Sequence, residues 1–297
     1  MRLDGRRSSR NVVDRRGSSG GGGLLKRFGF GGGIVGVIIV AAATLLGGGN
    51  LTDVLGNLMS QGGVNGLTEM LPSGYTPDVE DERLADLSSK VLAGTEDVWT
   101  EVFREQGWGE YEPPKMVLYT GSVQSECGQA SSQIGPFYCS ADETVYIDLS
   151  FFKDMQRTIG AGGDFTYAYV IAHEVGHHVQ HLLGTLDKAH SAMSRMPETE
   201  ANKISVRLEL QADYYAGVWA NRDNRMFSSI EPGDIENAIN AASKIGDDYL
   251  QQKATGKVVP ESFNHGRSAQ RVRWLSKGVD SGDPLGGDTF SPLYNEL

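Results

Sequence analysis

The chain has 297 residues, of which 39% are hydrophobic and 22% are charged, and it carries a net charge of −11. This length is enough for one large domain or two small ones with a substantial core. The composition excludes a disulfide-stapled miniprotein, a collagen-like chain and a wholly disordered chain. The overall acidity argues against a nucleic-acid-binding protein, so no nucleic acid is expected among the partners.

Basic residues are concentrated at the start of the chain. Residues 1–27 contain eight basic and two acidic side chains, whereas the rest of the chain is strongly acidic. No charged side chain occurs from Phe28 to Thr52. Because a membrane-spanning helix needs roughly 20 mainly apolar residues, residues 28–52 are predicted to form one transmembrane signal anchor.

The charge asymmetry predicts how the chain crosses the cell membrane. Lys and Arg concentrate on the cytoplasmic side of membrane segments. We therefore expect residues 1–27 to be a basic cytoplasmic tail and the acidic part of the chain to lie outside the cytoplasm. A signal peptide cleaved after the small residues at 41–43 is the alternative, although the apolar run continues past them. Residues 53–79 are predicted to be a Gly-rich linker, and residues 80–297 a folded domain.

The chain contains two cysteines, Cys127 and Cys139, and both fall in the part placed outside the cytoplasm. Disulfides persist in such oxidising compartments. A structural zinc site needs four ligands, which this pair alone does not supply. We therefore predict that the two cysteines form a disulfide.

Residues 160–184 predict a helix that carries an HExxH motif, formed by His173, Glu174 and His177. Residues four apart lie on the same face of a helix, so the two histidines can hold one zinc ion together. Glu174 is rotated about 100° from His173 and can reach a zinc-bound water. The carboxylate can then act as general base when that water attacks a carbonyl carbon.

A catalytic zinc ion also needs a third protein ligand. The sequence SVRLELQADYY places Glu209 and Asp213 four residues apart in a predicted helix from about residue 198 to 220. Apolar residues surround both acids, so each needs a partner. Glu209 is predicted to complete the metal site, and Asp213 to orient a ligand imidazole.

Two further features bear on catalysis. His265 lies in a loop before a predicted helix and is a candidate donor to the oxyanion, with a hydrogen bond at the helix start as its alternative role. The predicted strand at residues 143–149 is a candidate to pair with extended substrate, or is simply part of a small sheet that covers the helices. Its predicted neighbour is the strand at residues 116–121.

Several segments together resemble one known family. These segments are GPFYCSADETVYIDLSFF, GDFTYAYVIAHEVGHHVQHLLG, SVRLELQADYYAGVWA and HGRSAQRVRW. They resemble the neutral zinc metallopeptidases of bacteria, typified by the YpfJ-like proteins. The resemblance implies a zincin-like fold with an active-site helix, metal ligation by His173 and His177, and Glu174 as the catalytic acid. It implies Glu209 as the third ligand, as in peptidases with an ExxAD motif.

The sequence therefore predicts a membrane-anchored zinc metallopeptidase. The expected fold is an α+β, mostly helical, zincin-like domain with a small sheet, preceded by one transmembrane helix. We expect it to bind one zinc ion and to hydrolyse a peptide or protein substrate. The alternatives are a zinc-containing, membrane-anchored interaction protein without turnover, and a zinc amidase that acts on cell-wall peptides.

Overall fold

The computed structural model describes residues 1–17, 75–131 and 134–297. The predicted signal anchor at residues 28–52 and most of the predicted linker lie outside these ranges. Within them, no helix combines the length and apolar character needed to cross a membrane.

Helices make up most of the described structure. In chain order they are α1 (Val79–Gln106), α2 (Ser150–Ile159), α3 (Asp164–Leu182), α4 (Thr185–Met193), α5 (Glu198–Phe227), α6 (Asp234–Lys244), α7 (Asp247–Thr255) and α8 (Ser268–Ser281). α1 begins with a capping box, in which Asp78 accepts from the backbone N–H of Asp81. It ends at Gly107, which adopts a left-handed conformation with φ of 67° that favours glycine.

The strands form two small sheets. They are β1 (Val12–Asp14), β2 (Lys115–Tyr119), β3 (Ser122–Ser125), β4 (Gly128–Ser131), β5 (Phe137–Cys139) and β6 (Thr144–Asp148). The larger sheet has the order β1-β2-β6-β5, and β3 and β4 form a separate antiparallel hairpin. β1, β2 and β6 run parallel, and β5 runs antiparallel to β6. The prediction of a mostly helical α+β domain with a small sheet is thus confirmed.

The position of β6 differs from the role considered for residues 143–149. β6 pairs with β2 on one side and with β5 on the other. The backbone groups of residues 144–146 are therefore paired on both sides within the sheet. One edge of the sheet is β5, and residues 134–136 directly before it line the cleft that contains His173 and Glu174.

The predicted disulfide is confirmed, since Cys127 and Cys139 are bonded with their Cα atoms 5.8 Å apart. Cys127 lies in the turn between β3 and β4, and Cys139 ends β5. The bridge thus ties the hairpin to the edge strand. It also closes the loop that contains residues 134–136.

Residues 1–17 pack against the rest of the domain. Their strand β1 is hydrogen-bonded to β2, with Val13 opposite Val117. The backbone N–H of Arg2 donates to the carbonyl of Ser229, at the end of α5. This arrangement differs from the separate basic tail expected from the sequence, because these residues have their own partners on the domain.

Three helices cross closely at the centre of the core. An added Cβ atom on Gly176 of α3 would lie 3.0 Å from the carbonyl oxygen of Ala212 on α5. Gly217 of α5 and Gly278 of α8 face each other, and a Cβ atom on Gly278 would overlap the carbonyl oxygen of Tyr214. The missing side chains therefore let α3 and α8 approach the α5 backbone from two sides.

Substitution of Gly278 tests this crossing. Alanine is favoured over glycine inside a helix by about 1 kcal/mol. Gly278→Ala should nevertheless lower the free energy of unfolding by about 1–3 kcal/mol, because the methyl group forces α8 away from α5. Chemical unfolding monitored by circular dichroism measures this change. Asp280→Ala, at an exposed position of the same helix, is the control, and equal stability of the two variants would contradict the packing argument.

Candidate metal centre

Three metal-binding side chains from two helices meet at one point. α3 supplies His173 and His177, and α5 supplies Glu209. The Nε2 atom of His173 lies 3.3 Å from Oε2 of Glu209, and Nε2 of His177 lies 3.4 Å from Oε1. One ligand atom from each residue lies within 4.8 Å of the others, and all three side chains are buried. The close α3–α5 crossing at Gly176 is what brings Glu209 to the two histidines.

Each imidazole is held by an acceptor on its other ring nitrogen. Nδ1 of His173 lies 2.9 Å from Oδ1 of Asp213, and Nδ1 of His177 lies 2.8 Å from Oε1 of Gln180. These contacts hold a proton on each Nδ1 and direct each Nε2 atom toward Glu209. Nε2 of His177 is buried without a hydrogen-bond partner among the described residues. Two imidazoles and a carboxylate with such outer partners are a donor set that fits zinc.

Asp213 is the centre of a buried ion network. Its side chain is 0% exposed. Besides His173 it accepts from Tyr169 at 2.6 Å and from both Nε and Nη2 of Arg271, at 2.8 and 3.0 Å. Burial raises the pKa of Asp213, but the charges of Arg271 and His173 outweigh it and hold the pKa at about 2. The carboxylate therefore stays ionised and fixes the His173 ring.

Neighbouring charged groups also shift the pKa values of two of the predicted metal ligands. Burial lowers the pKa of His173, but Asp213 and Glu209 outweigh it and raise the pKa to about 10. Burial raises the pKa of Glu209, whereas the adjacent His173 and His177 side chains and the nearby His265 bring it well below its ordinary value. The carboxylate ligand is thus ionised, and His173 holds a proton that a metal ion has to displace.

Glu174 lies beside the ligands without joining them. Its side chain is 4% exposed, and its Oε2 atom has no hydrogen-bond partner in the described parts of the chain. Burial raises the pKa of Glu174. A carboxyl group with a raised pKa and a free oxygen suits the transfer of a proton near neutral pH.

These groups line a cleft whose other walls are apolar. Its polar side is formed by His173, Glu174, Glu209 and Arg271. Its apolar walls are formed by Ile134, Phe151, Met155, Val170 and Ile245. A cleft with a few polar groups among apolar walls is typical of a binding site for organic ligands.

His265 lies close to this centre but is not a ligand. It is 2% exposed, and its Nδ1 atom lies 3.1 Å from Oδ1 of Asp247. The other oxygen of Asp247 accepts from the backbone N–H groups of residues 264, 265 and 266. Asp247 therefore fixes both the loop and the imidazole. His265 is close enough to affect the pKa of Glu209.

The sequence reasoning missed Arg271, Tyr169 and Gln180. Arg271 is the buried cation of the Asp213 network, and its Nη1 atom has no partner among the described residues. It lies 58 residues from Asp213 in the chain, a separation from which no spacing rule predicts contact. The sequence gives a weak indication for Tyr169 and Gln180, because each lies within one helical turn of an HExxH histidine and so on or near the same helix face.

His178, which was not predicted as a ligand, has other partners. Nδ1 of His178 accepts from the Tyr138 hydroxyl, and its Nε2 donates to the Glu112 carbonyl oxygen. Burial lowers the pKa of His178 to about 4, so the ring is neutral. His178 thus has a structural role.

Comparison with known proteins supports the assignment that this geometry suggests. The family described as "Putative neutral zinc metallopeptidase" matches residues 1–290. The chain belongs to this family. It is 52% identical to the uncharacterized protein YpfJ of Escherichia coli K12 over 211 residues, which cover 71% of this chain and 72% of YpfJ. An uncharacterized protein of Mycobacterium tuberculosis H37Rv is 44% identical over 191 residues, or 61% of this chain and 64% of the relative. No solved structure matches the chain.

Zinc binding should release a proton from this member of the family. His173, with its pKa near 10, is protonated at neutral pH, and a zinc ion needs the neutral ring. Zinc affinity should therefore rise with pH between about 6 and 9, by up to about tenfold per pH unit. Titration calorimetry at pH 7.5 in two buffers of different ionisation enthalpy counts the protons, and we expect about one. Equal binding enthalpies in both buffers would contradict this protonation state.

Proposed function

We propose that this protein is a zinc-dependent peptidase that hydrolyses peptide bonds in a peptide or protein substrate. The observation that supports this function best is Glu174, whose Oε2 atom has no hydrogen-bond partner among the described residues and which lies beside His173 and Glu209 in the cleft. A structural zinc site uses four protein ligands, whereas three donors meet here within the described ranges. Three ligands with an adjacent base are typical of hydrolytic centres.

Glu174 is the general base and then the general acid. When zinc is bound, it supplies a Lewis acid that polarises the substrate carbonyl and increases the acidity of water. Glu174 then accepts a proton from the attacking water and passes it to the nitrogen of the leaving amine. Its raised pKa favours both transfers, because the carboxyl group gains and loses a proton within the same cycle.

Asp213, with its partner Arg271, orients the His173 ring, and Gln180 orients the His177 ring. His265 is proposed as a hydrogen-bond donor to the carbonyl oxygen that gains negative charge during attack. The contact with Asp247 supports this role, since it limits rotation of the ring and leaves Nε2 as the nitrogen that would donate when it carries a proton.

The cleft also indicates how a substrate binds. Residues 134–136 form one wall and lead directly into the edge strand β5. An extended peptide can pair with such an edge through its backbone. The apolar walls then receive a side chain adjacent to the scissile bond. We also propose that residues 28–52 attach the protein to a membrane, on the strength of their uncharged and largely apolar composition.

Replacement of the base separates metal binding from turnover. Glu174→Gln should keep zinc at the parent stoichiometry, because the residue is not a ligand. It should lower kcat for an unfolded protein substrate by at least about 100-fold, since no group accepts the proton. Zinc content is measured by atomic emission, and cleavage by mass spectrometry of the products.

The same assay separates the alternative functions. Val258→Gln, at an exposed position outside the cleft, is the control and should cleave like the parent. Cleavage of cell-wall peptides but not of unfolded protein would favour an amidase. Zinc binding with no cleavage of either substrate would favour an interaction protein, and full activity of Glu174→Gln would exclude this mechanism.

The apolar walls predict the preferred substrate. Ile245→Asp should lower kcat/KM at least about tenfold for peptides with a bulky apolar residue next to the scissile bond, because it places a charge in the wall. It should raise the relative rate for peptides with a basic residue there. Cleavage of a peptide mixture, analysed by mass spectrometry, measures the preference. Val258→Asp is the matched control, and an unchanged preference in Ile245→Asp would show that this wall does not contact substrate.

A further inference from the structure

Residues 1–17, here called the N-terminal strap, are bound to the metallopeptidase domain through backbone and side-chain contacts. We propose that the strap is a structural part of this domain and that strap and domain lie on the same side of the membrane. This proposal replaces the orientation expected from the charge asymmetry, in which the two parts lie on opposite sides.

The strap completes the larger sheet. β1 pairs in parallel with β2, so that residues 12, 13 and 14 face residues 116, 117 and 118. Two backbone bonds extend this ladder, from Met116 N–H to Asn11 carbonyl and from Arg15 N–H to Leu118 carbonyl. The strap therefore satisfies backbone groups on the side of β2 that faces away from β6.

A buried ion pair fixes the strap to α5. Arg6 donates to both carboxylate oxygens of Asp223, at 2.7 and 3.3 Å, and Asp223 is 1% exposed. Gly94 of α1 provides the space, because a Cβ atom there would lie 2.7 Å from Nη2 of Arg6 and 2.8 Å from Oδ1 of Asp223. Glycine in the middle of a helix costs about 1 kcal/mol relative to alanine. The domain thus contains a glycine where the strap arginine needs room.

A second carboxylate is enclosed by strap groups. Glu96 of α1 accepts from the hydroxyl of Ser9 at 2.5 Å, the amide of Asn11 at 2.9 Å and the guanidinium of Arg7 at 2.8 Å. Every hydrogen-bond donor to the Glu96 carboxylate in the described structure comes from the strap. Two strap segments, around Arg6 and around Ser9, are therefore each matched to an acid on the domain.

These contacts give the arginines a role other than membrane orientation. Three of the six strap arginines, Arg6, Arg7 and Arg16, form ion pairs with domain carboxylates. Arg16 also donates to the carbonyl oxygen of Asp81 at the start of α1. The basic strap and the acidic domain are thus complementary in charge and in position.

A single membrane crossing between strap and domain is incompatible with these contacts. The uncharged stretch at residues 28–52 has the length for one crossing, whereas two crossings need roughly 40 apolar residues. One crossing would put the strap and the domain on opposite faces, whether the partners belonged to one molecule or to neighbouring copies. Because the contacts are extensive and specific, we infer that the strap and the domain lie on the same side of the membrane.

Cysteine labelling of the full chain in membranes tests whether the strap and the domain lie on the same side. Ser8→Cys places a thiol on an exposed strap position, and Ser191→Cys places one on an exposed position of α4. The parent chain is the blank, because its two cysteines are disulfide-bonded. A membrane-impermeant maleimide should label both variants in intact spheroplasts, or both only after lysis. Labelling of one variant in intact spheroplasts and of the other only after lysis would overturn the proposal.

Charge reversal tests the docking itself. In the purified full chain, Arg6→Asp should lower the unfolding midpoint by roughly 10 °C, because it sets a second carboxylate against Asp223. The combination with Asp223→Arg should recover part of that loss. Arg10→Asp makes the same charge change at an exposed strap position and should leave the midpoint within about 2 °C of the parent. Equal midpoints for Arg6→Asp and Arg10→Asp would overturn the proposal.

Discussion

The buried carboxylate of Asp213 is the interaction on which the metal centre depends. It lies on α5 and contacts His173 and Tyr169 of α3 and Arg271 of α8, so one side chain joins three helices. An isolated carboxylate in this position would be very unfavourable. Arg271 compensates its charge with two hydrogen bonds, and the ion pair leaves Asp213 ionised to orient the His173 ring. Loss of either partner would leave an uncompensated buried charge, which typically costs 3–5 kcal/mol.

This network can form because the helix backbones approach one another unusually closely. Gly176 permits α3 to approach α5 at Ala212, and Gly278 permits α8 to approach α5 at Tyr214. Both crossings lie within one helical turn of Asp213. The glycines inside helices reduce local helix stability, but they set the interhelical distances that the ligands and the ion pair require. The HExxH motif therefore depends on a small residue at one of its two variable positions.

The sequence predicted the parts of the site that follow from local periodicity. His173, His177 and Glu174 are related by the geometry of one helix, and Glu209 and Asp213 by the geometry of another. Their convergence could be inferred because an apolar environment requires a partner for each acid. Arg271 could not be inferred in this way, because its contact with Asp213 depends on how α8 lies across α5. The strand at residues 143–149 was likewise considered both as a substrate edge and as part of a covering sheet, since strand order cannot be read from alternation alone.

Composition alone allows two different roles for the basic N-terminal residues. A cluster of arginines before an apolar stretch is typical of membrane orientation, and the same cluster is also what an acidic domain needs from a binding segment. α5 carries two buried aspartates that pair with arginines: Asp213 pairs with Arg271, and Asp223, ten residues later, pairs with Arg6. Ten residues correspond to about 15 Å along the helix. The helix that supplies Glu209 is therefore held at two points by arginines from opposite ends of the chain, which fixes its position relative to α3.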